Sequence, residues 1–132
     1  MKYEFEVPTT GHECLVNITA QVSKFVTLSK IKEGLCCVFV PHTTAAVAIN
    51  ENADPTVQSD ILRELDKVVP WEDGYDHVEG NAAAHIKVSM VGASQVALVS
   101  GGRLQLGTWQ GIYLAEFDGP RTRKVWVKII EG

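Results

Sequence analysis

With 132 residues, 45% of them apolar and 21% charged, the chain has the size of one domain and enough apolar content to close a core without staples. Its formal net charge of −4 at pH 7 argues against non-specific attraction to nucleic acid or anionic membranes, so neither is expected as a partner. No apolar run approaches the ~20 residues of a membrane span, and MKYEFEVPTT at the N-terminus lacks the apolar stretch of a signal peptide, so a cytoplasmic location is expected.

Lys2 to Val7 alternates, with Tyr3, Phe5 and Val7 toward a core and Lys2, Glu4 and Glu6 toward water, the pattern of a half-buried strand. Pro8 to Gly11 makes a turn, and a short strand follows around Cys14 to Val16. Asn17 is placed to cap a helix of about 13 residues, with Ile18, Val22, Phe25, Val26 and Ile31 near helical spacing. Gly34 is expected to close that helix at the position after its C-cap. Leu35 to Val40 reads as a central strand, and alternation sends its adjacent Cys36 and Cys37 to opposite faces. With Cys14 these make three cysteines in no CxxC spacing, read as reduced thiols.

Pro41 predicts a bend or bulge before the strand resumes at Ala45 to Ile49. Asp54 then caps a helix with Pro55 in its first turn and an apolar stripe of Val57, Ile61, Leu62, Leu65 and Val68. Pro70 ends it. Residues 71 to 80 form an acidic loop, and Asn81 to Val91 a short Ala-rich helix stopped by Gly92. Gln95 to Ser100 and Arg103 to Leu106 are strands joined by Gly101-Gly102, a hairpin signal. Gly111 to Phe117 and Thr122 to Ile130 are read as a second hairpin across Asp118-Gly119-Pro120-Arg121. Strands outnumber helices, so the expected fold is single-domain α+β. It has a mostly antiparallel, sandwich-like sheet arrangement with two or three helices packed outside.

The segment PHTTAAVAINENADP, residues 41 to 55, carries polar groups at both ends of an apolar strand. His42, Thr43 and Thr44 stand at one end, Asn50 and Glu51 at the other. Asp54 is accounted for by capping. Asn50 and Glu51 are not, and Glu51 has the chemistry of a general base or a hard-oxygen metal ligand. His42, His77 and His85 fall on three different elements, where they either converge on one divalent metal or are separately hydrogen-bonded. His85 shares its helix face with Ala82, Ser89 and Gly92, all small. His12 is read as incidental. Gly107-Thr108-Trp109-Gln110-Gly111 offers a close backbone approach at Gly107 and a stacking ring at Trp109, or else a bulge with a core Trp. Arg121 is suited to a bidentate phosphate contact, whereas Arg123 and Lys124 are read as the solvated tip of the second hairpin. No Walker loop, Rossmann glycine pattern or GxSxG is present.

HTTAAVAINENADP, YDHVEGNAAAHIK and GGRLQLGTWQGIYLAEFDGPR, in that order, closely resemble the YjbQ family, whose members are often labelled secondary thiamine-phosphate synthase enzymes. The resemblance covers almost the whole chain. It implies a compact β-rich α+β fold, a homotrimer with sites near subunit contacts, and a small phosphorylated metabolite as ligand. It also implies a weak activity that joins a pyrimidine diphosphate to a thiazole phosphate and releases pyrophosphate. Carried over to this sequence, His42, His77 and His85 would be metal ligands for Zn or Mg. Asn50, Glu51 and Arg121 would be catalytic, and Trp109 and Arg121 would bind substrate; Thr43, Thr44 and Gly107, read from the residues themselves, are further substrate-binding candidates. Many relatives carry an acidic residue where this chain has Ala82-Ala83-Ala84, so a role for such a residue is absent here. Two other functions fit the same residues: a metal-dependent hydrolase of a small phosphorylated or amide substrate, and a non-catalytic trimeric metabolite-binding protein.

Overall fold

The computed structural model describes residues 2–132, which form eight strands and three helices. In chain order these are β1 (Lys2–Pro8), β2 (Cys14–Asn17), α1 (Thr19–Ser29), β3 (Gly34–Phe39) and β4 (Ala45–Glu51). Then come α2 (Pro55–Val68), α3 (Ala82–Val91), β5 (Ser94–Ser100), β6 (Arg103–Gln105), β7 (Gln110–Glu116) and β8 (Thr122–Glu131). One sheet has the order β1-β8-β3-β5-β6 and the other β2-β7-β4. Every strand pair in them is antiparallel.

The two sheets face each other across one apolar core. Inward residues of β3 and β8 (Cys36, Val38, Val125, Val127, Ile129) meet those of β4 and β7 (Ala45, Val47, Ile112, Leu114). Helix α1 closes the side of this core through fully buried Val22 and Val26. The opposite face of the smaller sheet is also covered. There Ala46, Ala115 and Phe117 pack against Ala84 and Val88 of α3, with Leu62 and Leu65 of α2 alongside. Residues 111–117 are consequently all buried, as in a strand sandwiched on both faces. The outer face of the larger sheet has no such cover, and Leu35, Phe39, Val96, Leu98 and Ile130 stand exposed on it.

The expected α+β architecture of antiparallel sheets with helices outside holds, as do several local readings. The Asp54 side chain accepts from Thr56 N–H at 2.9 Å, with Pro55 opening α2. Gly101 and Gly102 join β5 to β6 with φ of 59° and 75°, values that glycine adopts without strain. Cys36 is buried and Cys37 half-buried, on opposite faces of β3.

Three readings are corrected. Helix α1 ends at Ser29, five residues before Gly34, because Lys30 takes the left-handed conformation (φ 61°) and its N–H bonds to Thr27 O. Gly34 instead begins β3, where a Cβ would collide with the Ile130 carbonyl. The second expected hairpin does not form: β7 belongs to the small sheet and β8 to the large one, so residues 118–121 cross between sheets. For the same reason Arg123 is no solvated tip. It is 3% exposed and ion-paired with fully buried Glu116.

Candidate functional site

Three segments cross from one sheet to the other at the same corner of the molecule: residues 9–13, 40–44 and 118–121. Such crossings strip the backbone of ladder partners, so side chains must supply them. Glu116 is the hub. Its carboxylate accepts from Thr9 Oγ1 at 2.8 Å, Arg123 Nε at 2.8 Å, Arg123 Nη2 and the Asp118 N–H at 3.0 Å. Arg123 Nη2 also donates to Thr44 Oγ1 (2.8 Å) and Thr44 O (3.2 Å), while Thr44 O accepts from Phe117 N–H. Burial pushes the Glu116 carboxyl up, but the bonds from Arg123, Asp118 and Thr9 outweigh it and hold it below 4.5.

His42 and Arg121 sit on this frame. His42 Nε2 accepts the Lys124 backbone N–H at 2.9 Å, so the neutral ring carries its proton on Nδ1. Burial first, and then the Arg123 guanidinium with Arg121 and Lys124, lower the His42 pKa below 6.5, while Glu116 works against them. His42 is therefore a neutral N–H donor near pH 7 in a locally cationic setting. Arg121 is half exposed and points back on its own turn. Its Nε donates to Asp118 O (2.7 Å) and its Nη2 to the Asp118 carboxylate (2.8 Å). The other guanidinium N–H groups remain for a ligand. Asn81, at the start of α3, donates to the same carboxylate at 2.9 Å, docking that helix on the corner. Its buried Oδ1 has no partner among the described residues. Thr43 is exposed beside this group and Thr44 is buried within it. His12 is not incidental: its ring packs edge-on against Trp71, centroids 4.4 Å apart, and lies 4.0 Å from Asp118.

Asn50 and Glu51 lie elsewhere. At ~3.3 Å per residue, Thr44 and Asn50 are roughly 20 Å apart, at opposite ends of β4. Asn50 Oδ1 accepts from Glu51 N–H (2.7 Å), and Glu51 Oε2 from Ala53 N–H (2.9 Å), which shapes the turn into α2. The Glu51 carbonyl accepts from Gln58 Nε2 and from Tyr113 OH. Trp109 is 63% exposed, so it is not a core residue. With Ile49, Asn50, Glu51 and Gln110 it borders an open hollow of about 320 Å³. Gly107 N–H donates to Gln110 Oε1 at 2.8 Å and fixes the loop that carries Trp109. Asn50 and Glu51 also stand at the mouth of a cavity of about 220 Å³ between α2 and the small sheet.

The histidines divide too. His77 and His85 face each other with ring centroids 5.1 Å apart, while His42 holds a backbone amide. Among the described residues no three His, Cys, Asp or Glu side chains are arranged to hold a metal ion. One chain thus presents His42, Thr43, Thr44 and Arg121 at one end of β4 and Asn50, Glu51, Trp109 and Gly107 at the other, with the His77–His85 pair beside α3.

Sequence reasoning missed the buried charges. Lys87 is fully buried and bonds Glu13 (2.6 Å) and Asp66. It ties α3 to α2 and to the segment before β2. Burial alone would lower its pKa, but the two carboxylates more than offset this and raise it above 10.5. The signal for all three buried charges was positional. Arg123 has the strand parity of Val125, Val127 and Ile129, Glu116 that of Ile112 and Leu114, and Lys87 the helix face of Ala84, Val88 and Val91.

Residues 3–132 match the family model "UPF0047 protein YjbQ-like". The chain is 52% identical to the UPF0047 protein YugU of Bacillus subtilis over 126 residues, covering 95% of this chain and 96% of that one. To a UPF0047 protein of Methanocaldococcus jannaschii it is 48% identical, covering 98% and 94%. A crystal structure of a YjbQ/UPF0047-family protein of Clostridium acetobutylicum superposes with a TM-score of 0.95 at 54% identity, covering 97% of this chain and 99% of that one. A YbjQ-like protein of Sulfolobus solfataricus gives 0.96 at 37% identity, covering 100% and 97%.

Proposed function

The chain belongs to the UPF0047 family of YjbQ-like proteins, and we propose that it binds a small phosphorylated metabolite at the His42–Arg121 corner and supports a low thiamine-phosphate synthase activity. The observation that carries this reading is the local charge. On a chain of net charge −4, Arg121, Arg123 and Lys124 surround His42, against the carboxylates of Glu116 and Asp118. In the reaction, the thiazole nitrogen attacks the pyrimidine's methylene carbon as its C–O bond to diphosphate breaks. Pyrophosphate leaves with the electron pair. Arg121 and the Nδ1–H of His42 are the donors for that developing charge, the role that fixed donors fill best in a partly desolvated site.

Asn50, Glu51 and Trp109 serve the same reaction only if another copy brings them to the corner. A homotrimer with head-to-tail contacts that pair this end of β4 with the neighbour's corner would do so, because such contacts join different patches of neighbouring copies. The uncovered apolar face of the large sheet is the surface that such assembly would hide. Trp109 then supplies a ring platform and Glu51 a base. The described residues of one chain do not fit a resident metal, and the chemistry proposed for the corner is carried by its own side chains.

The test is pyrophosphate release from the two substrates by the wild type, Arg121→Ala and Glu51→Gln. Turnover above background that falls in both variants supports the assignment, and equal turnover in all three refutes it. Binding without turnover would leave a metabolite-binding protein. A metal-dependent hydrolase is favoured only by the His77–His85 pair, which needs a third ligand from another copy. Zinc or magnesium retained at one equivalent by purified protein, and lost in His85→Ala, would support it.

A further inference from the structure

We infer that the space beneath α2 is a binding site in its own right, one that takes a single planar ring bearing an uncharged amide or an uncharged or cationic amine. This does not rest on the anion-binding reading, because the space opens at the far end of β4 from His42.

Helix α2 carries an apolar stripe, yet none of its residues is buried. Ile61 and Leu65 instead hang over a cavity of about 220 Å³. On the sheet below, Ala48 and Ala115 form the floor, and Leu15 and Phe117 form walls. Protein interiors rarely keep gaps larger than a water molecule, and the alanine floor has no rotamers with which to fill this one. An enclosed apolar void of roughly 150 Å³ accepts benzene; this space is larger, apolar at its floor and walls, and open at one polar mouth.

The mouth defines the polar edge of the ligand. Gln58 Nε2 commits both protons, to Glu51 O and to Tyr113 OH at 2.9 Å. Tyr113 OH donates to Glu51 O at 3.1 Å. That lock holds Gln58 Oε1 as an acceptor with no donor among the described residues, and Glu51 uses only Oε2 internally, on Ala53 N–H. Asn50 accepts through Oδ1 and keeps its Nδ2 protons free. Two free acceptors, one of them a carboxylate, and one free donor match an N–H-bearing edge with a neighbouring acceptor. A carboxylate on the ring would meet Glu51 and be repelled.

Benzamide and benzoate, equal in size and opposite in this respect, are the probes. The Ala48 and Ala115 methyl signals of ¹³C-labelled protein are followed during titration with each. Saturable shifts with benzamide, and binding roughly tenfold or more tighter than benzoate, are expected for one hydrogen bond to a charged group. Glu51→Gln should shrink that preference. Ala48→Leu should abolish benzamide binding by filling the floor, with Ala115→Val as the replacement if the first variant loses its native amide spectrum. Absence of saturable shifts at both methyls, equal binding of benzoate to the wild type, or undiminished benzamide binding in a folded cavity-filled variant would each overturn the inference.

Discussion

At the residue scale, His42 shows how little a side chain's identity says about its state. Its Nε2 is committed to the Lys124 amide, and burial with three nearby cations keeps the ring neutral. A histidine whose folded pKa lies below 6.5 binds fewer protons folded than unfolded. Its contribution is therefore fully present above 6.5 and is lost as pH falls from 6.5 through the lower folded value. Denaturant midpoints measured from pH 7.5 to 5 should fall in the wild type, and the His42→Gln variant should lose part of that slope. An unchanged slope would mean that His42 titrates freely. Arg121 differs, because its internal bonds are half exposed and confined to its own turn. Arg121→Ala should change stability by no more than about 1 kcal/mol, as for other exposed pairs. It should weaken phosphate or pyrophosphate binding roughly tenfold or more, the loss expected for a charge-assisted hydrogen bond.

At the element scale, the corner depends on Glu116 and Arg123, which hold three sheet crossings together. Removing one partner of a buried pair strands the other charge. Arg123→Met should therefore destabilise the fold by about 3–5 kcal/mol, whereas replacing both partners with apolar residues should cost less. Chemical denaturation of the two single variants and the double variant gives that comparison directly. Because the Glu116 pKa is held below 4.5, its stabilisation is present above 4.5 and disappears as pH drops through the lower folded value; Arg123→Met lacks the cation that lowers that pKa, so the stability gap between wild type and variant should narrow as pH falls below 4.5. The same elements show what was legible in the sequence. The Asp54-Pro55 cap and the Gly101-Gly102 turn are local chemistry, and both were readable. The DGPR turn is local too, but a turn does not decide which sheet the next strand joins. That was written in the flanks: GIYLAEF is apolar nearly throughout, as a strand covered on both faces is, whereas TRKVWVKII alternates and faces water on one side. Two such strands have different neighbours, and Arg123 shares the inward parity of the second.

At the scale of the whole molecule, the small sheet is covered on both faces and the large sheet on one. Leu98 is 60% exposed, Val96 57% and Ile130 50%, so the free face carries an apolar patch that an isolated chain leaves wet. If the trimer forms through this face, Leu98→Glu should shift native mass spectra from three copies toward one with little loss of far-ultraviolet helix and strand signal. A monomeric wild type would refute assembly outright. The candidate residues were individually visible in the sequence. Their distribution was not, because a segment that reads continuously from His42 to Glu51 runs the length of a strand and delivers its two polar ends to opposite sides of the molecule.

Whether the His42–Arg121 corner holds a phosphate-bearing ligand is decided by isothermal titration calorimetry with inorganic pyrophosphate. Saturable binding to the wild type is expected, weakened roughly tenfold or more by Arg121→Ala. A control substitution away from the corner, Gln105→Ala on the edge strand β6, should leave the affinity intact. Undetectable binding to the wild type, or equal affinity in Arg121→Ala, would contradict it.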